Sequence, residues 1–331
     1  MTAVIDVATS AVLSAPAPTP RRAATPTSFW RSGRCAALQH AFDMTVEATP
    51  EVISVIQQVI EPFRRREPAP PSLTEIGAPH EVSHYAVTPY HHPSLRWQLR
   101  VGDKRLAGGV TATDLLRMLT WHLNHTTIER SSSRFVLLHA AAATRHGLTV
   151  ILPADQECGK STTVSGLLRE GWDYVTDEAV AIDPATGWLT PFCKNLSLDS
   201  GSWHLFPECR PSWVPPVGTV QSLTREVRQW QVPPSWLGAT IAPGRVTPPR
   251  LVVFPKYVAG AATRCWPISR AEAVRQLALT TFNFPEDPQR NLEVLARVVA
   301  SATVARLQIG SLDGALDAIE TLASTIYLED M

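Results

Sequence analysis

The segment from Ala154 to Ser161 has the residue types of a phosphate-binding loop. Its sequence, ADQECGKS, matches the pattern G-x-x-x-x-G-K-[S/T], except that Ala154 stands at the first glycine. An apolar stretch precedes the segment and a helical pattern follows it, which is the strand–loop–helix context that such a loop requires. In that context, successive backbone N–H groups and a helix N-terminus point at an anion.

Individual residues of the loop have specific chemical uses. Lys160 is expected to reach the β- and γ-phosphates, and the Ser161 hydroxyl to ligate Mg²⁺. Alanine at the first position costs on the order of 1 kcal/mol if that position needs a positive φ. Asp155 and Glu157 also place carboxylates near the anion. The alternative is a tight strand-to-helix turn with an incidental GKS, but the surrounding pattern favours phosphate binding.

A pair of acidic residues, Asp177 and Glu178, follows a short apolar strand pattern. A carboxylate on the metal side is expected there in a phosphate-loop protein. Adjacent side chains on a strand diverge, so one can hold Mg²⁺ or its water while the other faces an acceptor hydroxyl. Asp-Glu at a strand end is by itself more often a simple turn. At this distance after GKS, the pair instead indicates a site.

A histidine, His139, interrupts the apolar run of residues 135–143. A lone histidine on a buried strand is more often a satisfied core residue than a catalytic one. Here the strand is expected to lie beside the strand that leads into the loop. His139 is therefore predicted to reach the γ-phosphate region or to polarise Asp177.

Three basic residues downstream are candidates for further phosphate contacts: Lys194, Arg245 and Lys256. Each can equally be a surface or structural residue. Lys194 is the one that we include in the predicted site.

Composition excludes several classes of protein. The chain has 331 residues, of which 44% are hydrophobic and 18% charged, so we expect a folded globular protein with a sizeable core. The 30 basic residues balance the 30 acidic ones, and no polybasic run occurs. Neither a nucleic acid nor an anionic membrane is therefore an expected partner.

Targeting and cysteine patterns favour the cytoplasm. No apolar run approaches the roughly 18 to 20 residues that span a bilayer. The N-terminal residues lack the basic and apolar regions of a signal peptide. The 5 cysteines form no C-x-x-C pair, which argues against a disulfide framework and against a zinc cluster. We therefore expect a cytoplasmic protein.

The chain divides into three segments of different pattern. Residues 1–27 are rich in alanine, proline, threonine and serine and are predicted to form a disordered tail. Residues 28–126 are predicted to form a small α+β domain, and residues 127–331 an α/β domain with a helical C-terminus. Residues 203–249 combine tryptophans with prolines and are predicted to be irregular, either as a substrate lid or groove or as a packed insertion.

Periodicity predicts the individual elements. Helices are expected in residues 50–66, from Thr113-Asp114 through Leu123, and in 161–170, 268–279, 291–302 and 313–325. Strands are expected in residues 84–88, 95–101, 135–144, 147–154, 174–183, 189–198 and 250–258. Gly171 is expected to end the helix that follows the loop.

Taken together, His139, the GKS of residues 159–161 and the acidic pair at 177–178 resemble the HPr kinase/phosphorylase superfamily. The similarity is greatest to HPr-kinase-related serine kinases of lasso and other ribosomal-peptide gene clusters. It covers residues 131–210 well and 250–325 loosely. Lys194 and the stretch S-L-x-x-G-S-W, which begins at Ser197, are also similar to family members.

The resemblance implies a P-loop kinase domain of the HPr kinase/PEP carboxykinase type, preceded by the small N-terminal α+β domain. It implies transfer of the ATP γ-phosphoryl group to a serine hydroxyl of a peptide or protein, with Mg²⁺ as the metal; homo-oligomers are common in the family. The glutamate-arginine-glycine signature of the bifunctional enzyme is absent. Phosphorylase activity, and the carrier protein HPr as substrate, are therefore not carried over.

By this resemblance, Asp177 is the general base, with His139 and Lys160 as the other catalytic residues, and Ser161 and Glu178 lie on the Mg²⁺ side. The residues expected to bind ATP are Ala154, Asp155, Gln156, Glu157, Cys158, Gly159, Lys160, Ser161, Thr162 and Lys194. Two alternatives stay open: a kinase of a small hydroxylated metabolite, and a nucleotide-binding regulator that has lost catalysis. Retention of Asp177 and His139 favours the enzyme, whereas Ala154 favours the regulator.

Overall fold

The computed structural model describes residues 27–64, 81–90, 96–211, 229–242 and 244–329. The predicted disordered tail, but for its last residue, lies outside the described residues. So does the central part of the segment 203–249, and with it the prediction of a lid.

A mixed six-stranded sheet is built from the N-terminal part of the chain. Its strands are β1 (Ser28–Arg31), β2 (Cys35–Ala37), β3 (His40–Ala48), β4 (Val82–Tyr90), β5 (Arg96–Val101) and β6 (Lys104–Val110). They run in the order β1-β3-β4-β5-β6, with β2 beside β3. The helices α1 (Pro50–Ile60) and α2 (Ala112–Ser131) accompany the sheet.

Local sequence explains the two helices. In α1, Pro50 occupies the first turn, where its missing N–H costs nothing, and Ile53, Ile56 and Val59 form a buried stripe. In α2, the Thr111 side chain accepts a hydrogen bond from the backbone N–H of Asp114, which caps the helix. Because α1 lies between β3 and β4, these two strands can pair in parallel.

The second sheet has eight strands and contains the loop. Its strands are β7 (Val136–Arg145), β8 (Leu148–Pro153), β9 (Asp173–Thr176), β10 (Ala179–Ile182), β11 (Leu189–Thr190), β14 (Leu251–Tyr257), β15 (Arg264–Pro267) and β16 (Thr303–Ile309). Two short strands outside it, β12 (Leu196–Asp199) and β13 (Gln229–Val232), pair with each other. The order is β11-β10-β7-β8-β14-β16-β15. The strand β9 also pairs with β7, at residues 142–144, whereas β10 pairs at residues 136–139.

Helices cover both faces of this second sheet. They are α3 (Lys160–Arg169), α4 (Arg270–Leu279), α5 (Pro288–Ala300) and α6 (Leu312–Glu329). Val150 and Leu152 of β8 pack in the cluster that contains α3 and α6, whereas Ile151 packs in the cluster that contains α4 and α5. Alternation along β8 therefore sends neighbouring side chains into two different cores.

The mixed α/β class predicted from the sequence is confirmed, and so are all six predicted helices and the expectation that β7 lies beside β8. Two strand predictions need correction: residues 174–183 form two strands that break at Asp177-Glu178, and 189–198 is regular only at its ends. The strands β1, β2, β3, β6, β13, β15 and β16 were not predicted, and β13 corrects the prediction that residues 203–249 are irregular. The boundary between residues 126 and 127 stays a prediction. Among the described helices, none is long and apolar enough to cross a membrane.

Candidate functional site

The loop leaves β8 at Pro153 and enters α3 at Lys160. Gly159 caps the helix in the left-handed region, with a φ of 90°, and Glu157 shares that region with a φ of 60°. Ala154 is not among the residues of positive φ. The cost expected for alanine at the first loop position therefore does not arise, and the strained non-glycine position is Glu157.

Lys160 folds back over the loop that it ends. Its buried ammonium group donates to the backbone oxygen of Ala154 at 2.7 Å and also to that of Asp155. Burial lowers the pKa of Lys160 below its ordinary value. No side chain caps the first turn of α3, so its N–H groups remain available to an anion. The two loop carboxylates, on Asp155 and Glu157, are exposed to solvent, where water and salt weaken their repulsion of an anion without abolishing it.

The acidic pair lies at a break in the second sheet, between β9 and β10. β9 and β10 both pair antiparallel with β7, and the ladder is interrupted at Asp177 and Glu178. On either side of the break, Thr176 pairs with Ala142 and Ala179 pairs with His139. The backbone oxygen of His139 accepts from Ala154 N–H on the other side of β7. The acidic pair and the start of the loop therefore flank the same few residues of β7.

Asp177 is fully buried and held by several donors. Lys194 Nζ lies 2.6 Å from Asp177 Oδ1, and both side chains are almost inaccessible. The Tyr174 hydroxyl donates to Oδ1 at 3.1 Å, and the Ser197 N–H donates to Oδ2 at 2.7 Å. Proximity to this carboxylate and, above all, complete burial raise the pKa of Tyr174 well above its usual value.

Lys194 is an ion-pair partner of Asp177 in this arrangement. Besides the carboxylate, its ammonium group donates to the Asn195 backbone oxygen at 2.9 Å and to Ser197 Oγ at 3.0 Å. These three acceptors use all three ammonium hydrogens. The predicted contact of Lys194 with a phosphate therefore has no donor left as the site stands.

Glu178 is the more open of the two acids. Its side chain is 29% exposed, and its Oε2 lies 3.7 Å from Lys194 Nζ. Burial raises the pKa of Glu178 above its ordinary value, and the neighbouring carboxylate of Asp177 adds to the effect. Asn124 of α2 donates to Glu178 Oε2 at 3.4 Å. The N-terminal part of the chain thus contributes a side chain to the site that the sequence did not single out.

His139 lies beside these groups as a neutral imidazole. Burial, with a further contribution from Lys160, lowers its pKa to about 4. The ring stacks on Phe282 at 5.2 Å, and its backbone N–H donates to the Thr280 oxygen at 2.7 Å. No hydrogen bond joins the ring to Asp177 among the described residues, so the predicted polarisation of Asp177 stays a prediction.

The donor set next to the loop suits Mg²⁺. Ser161 lies half-buried in the first turn of α3, and the carboxylate of Glu178 is partly accessible. Mg²⁺ is usually held by one or two protein oxygens and completed by water and phosphate. Within the described residues, no group of three or more His, Cys, Asp or Glu side chains is placed to hold a metal by itself. A metal held jointly with phosphate fits these residues.

The other two basic candidates, Arg245 and Lys256, lie at different distances from the loop. Arg245 lies beside Asp183, to which it donates at 3.1 Å, at the end of β10 away from the loop. Lys256 is exposed at the end of β14 and lines a cleft beside the loop. Of the two, only Lys256 therefore lies near the loop.

Glu157 offers a test of the loop. We expect Glu157→Gln to strengthen binding of Mg²⁺ and ATP several-fold, because it removes a carboxylate next to the anion. Glu157→Gly should bind as Glu157→Gln does and should not lose stability, since glycine adopts this φ without strain. Calorimetric titration and urea denaturation of both variants measure the two effects. Unchanged ATP affinity in both variants would show that no anion binds next to Glu157.

The chain matches no known family model, and no curated protein matches its sequence.

Proposed function

We propose that the chain is an ATP-dependent kinase that transfers the γ-phosphoryl group to a serine hydroxyl of a peptide or protein. The observation that carries the proposal is the position of the loop and the acidic pair on either side of β7. Neighbouring strands lie about 4.8 Å apart, so the two features are separated by about 10 Å. A γ-phosphate bound at the loop is then within reach of a base on the acidic pair.

The chemistry follows from the residues present. The serine oxygen attacks the γ-phosphorus, the bond to the β–γ bridging oxygen breaks, ADP leaves, and the hydroxyl proton passes to Asp177. Lys160 and the N–H groups of α3 stabilise the charge on the transferred group. Ser161 and Glu178 would hold Mg²⁺, and the bound metal would supply further neutralisation of the polyphosphate.

Access to Asp177 requires a movement. A carboxylate has about four acceptor positions, and Lys194, Tyr174 and Ser197 occupy three of them. The fourth is closed off from solvent. We therefore expect binding of nucleotide and acceptor to open the site before transfer, as in other enzymes in which closure or opening precedes chemistry.

A nucleotide-binding regulator without catalysis is the second candidate. The burial of Asp177 favours it, because a carboxylate locked in an ion pair serves structure as well as catalysis. Ala154 no longer favours it, since the loop bears alanine there without a positive φ. For a kinase of a small metabolite, the enclosing segment would be residues 203–249, of which the central part is outside the described residues.

The proposal is tested by comparing Lys160→Ala with Lys104→Ala, a substitution of an exposed lysine on β6. The wild type and Lys104→Ala should bind ATP in the presence of Mg²⁺ equally well. Lys160→Ala should bind at least about 10-fold more weakly, because it loses the charge nearest the phosphates. Equal affinity in all three proteins, or no binding by the wild type, would contradict the proposal.

A further inference from the structure

The helix α2, from the N-terminal part of the chain, donates a hydrogen bond to the acidic pair. The Asn124 side-chain amide donates to Glu178 Oε2 at 3.4 Å, and the same oxygen lies 3.7 Å from Lys194 Nζ. Among the described residues, no hydrogen bond or ion pair involves Glu178 Oε1. The carboxylate therefore has one oxygen held by protein donors and one oxygen left for another ligand.

We propose that Asn124 is a positioning residue for the metal side of the site: its amide holds Glu178 Oε2 and leaves Oε1 for the Mg²⁺ that accompanies ATP. The inference rests on the proposed function, because it takes Glu178 as a ligand of that metal. It goes beyond that function because it assigns the N-terminal part of the chain a role in metal binding.

The packing around the acidic pair fixes α2 against the second sheet. Ala179, which follows Glu178, and Phe192 are fully buried in the hydrophobic core of the N-terminal part. Leu123 of α2 belongs to the same core. Because Leu123 directly precedes Asn124, the backbone that carries the amide and the backbone that carries the carboxylate are anchored together. The donor and the acceptor therefore keep their relative position before any ligand binds.

The helix α1 supports the lysine side of the site. Its Gln58 backbone oxygen accepts a hydrogen bond from Asn195 Nδ2 at 3.0 Å. The Asn195 backbone oxygen in turn accepts from Lys194 Nζ at 2.9 Å. Phe63, which follows α1, contacts Phe192, and their ring centroids are 6.4 Å apart. The N-terminal part therefore holds the surroundings of Lys194 as well as Glu178.

A neutral amide suits the position next to Glu178. The charged groups of Lys194, Asp177 and Lys160 already act on this carboxylate. A further cation at position 124 would compete with Mg²⁺ for Glu178, whereas an amide donates a hydrogen bond without adding charge. Outer partners of this kind orient carboxylates that bind metals, and their loss typically lowers metal affinity by about 10- to 100-fold.

A purely structural role for Asn124 predicts a different result. Loss of a structural contact between α2 and the second sheet would weaken ATP binding to the same extent with and without a metal. Loss of a positioning residue would weaken only the binding that involves the metal. The ratio of the ATP affinity with Mg²⁺ to the ATP affinity with EDTA therefore separates the two roles.

The test measures ATP binding by calorimetric titration of the full-length protein, once with Mg²⁺ and once with EDTA. Asn124→Leu and Asn124→Ala both remove the donor, the first with a side chain of similar size. Both should weaken ATP binding about 10-fold or more with Mg²⁺ and leave the affinity in EDTA unchanged. Asn124→Gln retains an amide and should recover part of the loss.

The matched control is His125→Leu, because His125 is the next residue of α2 and is exposed. This substitution should change neither affinity. Urea denaturation of all four variants reports any loss of stability separately from the loss of metal-dependent binding.

Two results would overturn the inference. Wild-type affinity for ATP with Mg²⁺ in both Asn124→Leu and Asn124→Ala would show that the amide does not act on the metal. An equal loss with Mg²⁺ and with EDTA would show that Asn124 is a structural contact only. Both results leave the proposed function intact, because the wild type still binds ATP with Mg²⁺. An ATP affinity of the wild type that does not depend on Mg²⁺, or no ATP binding at all, would contradict the proposed function and the inference together.

Discussion

Replacing Asp177 by asparagine should lower Mg²⁺-dependent phosphoryl transfer from ATP by about 10² or more, with ATP affinity unchanged. Asparagine has nearly the same shape but cannot accept the proton of the acceptor hydroxyl. Its side-chain oxygen still accepts from Ser197 or Lys194, so much of the local structure is retained. The measurement is turnover of ATP, with candidate peptides supplied as acceptors, together with ATP titration.

The control must separate chemistry from folding, because Asp177→Asn also disturbs a buried ion pair. Asp183 offers the match: its side chain is 4% exposed and it pairs with Arg134 at 2.7 Å and Arg245 at 3.1 Å. Asp183→Asn should lower stability but leave turnover per folded molecule unchanged. If Glu178→Gln reduced turnover while Asp177→Asn did not, the base would be Glu178. If the wild type and Asp177→Asn bound ATP equally but neither turned it over, even with candidate peptides, the regulator would be the better description.

The features that the sequence predicted correctly depend on neighbouring residues in the chain. The GKS of residues 159–161 is followed directly by its helix, and Gly171 ends that helix with a φ of 85°. The β7–β8 hairpin turns at His146 and Gly147, which both have positive φ. The apolar stripe of α1 likewise repeats within a few residues. Short-range signals of this kind are readable without knowing the partners.

The features that the sequence did not predict depend on distant partners. Asn124 donates a hydrogen bond to Glu178, which is 54 positions away in the chain, and no sequence motif in α2 distinguishes Asn124. β16 is covered on both edges, by β14 and β15, and its pattern TVARLQI includes Arg306, which reads as a surface residue. The strand β3 was missed because it lies in the N-terminal part, where alternation is mixed with polar residues. These strands form because they pair with strands that are distant in the sequence, and not because their own residues have a strong β-propensity.

The same dependence on distant partners explains Lys194. Its basic side chain and its similarity to a lysine of the resembling family made Lys194 a candidate for a phosphate contact. The fold instead brings Asp177 to within 2.6 Å of its ammonium group, and two further oxygens complete the shell. A buried lysine needs a nearby counter-charge, and here the Asp177 carboxylate supplies it.

Replacing Lys194 by methionine should therefore destabilise the protein by about 3–5 kcal/mol, because it leaves the buried Asp177 carboxylate without its counter-charge. Methionine fills a similar volume, so the loss measures the charge rather than a cavity. Urea denaturation at pH 7 gives the free energy of unfolding. Lys104→Met, at an exposed position on β6, should change that free energy by no more than about 0.5 kcal/mol.

The double variant Lys194→Met/Asp177→Asn gives the decisive comparison. Because it removes both charges, it should be more stable than the sum of the two single substitutions predicts, by about 1–3 kcal/mol. This coupling would show that the two residues stabilise each other in the folded protein. A Lys194→Met protein of wild-type stability with weakened ATP binding would give the opposite answer. It would mean that the ammonium group serves the phosphates, and that the ion pair opens when nucleotide binds.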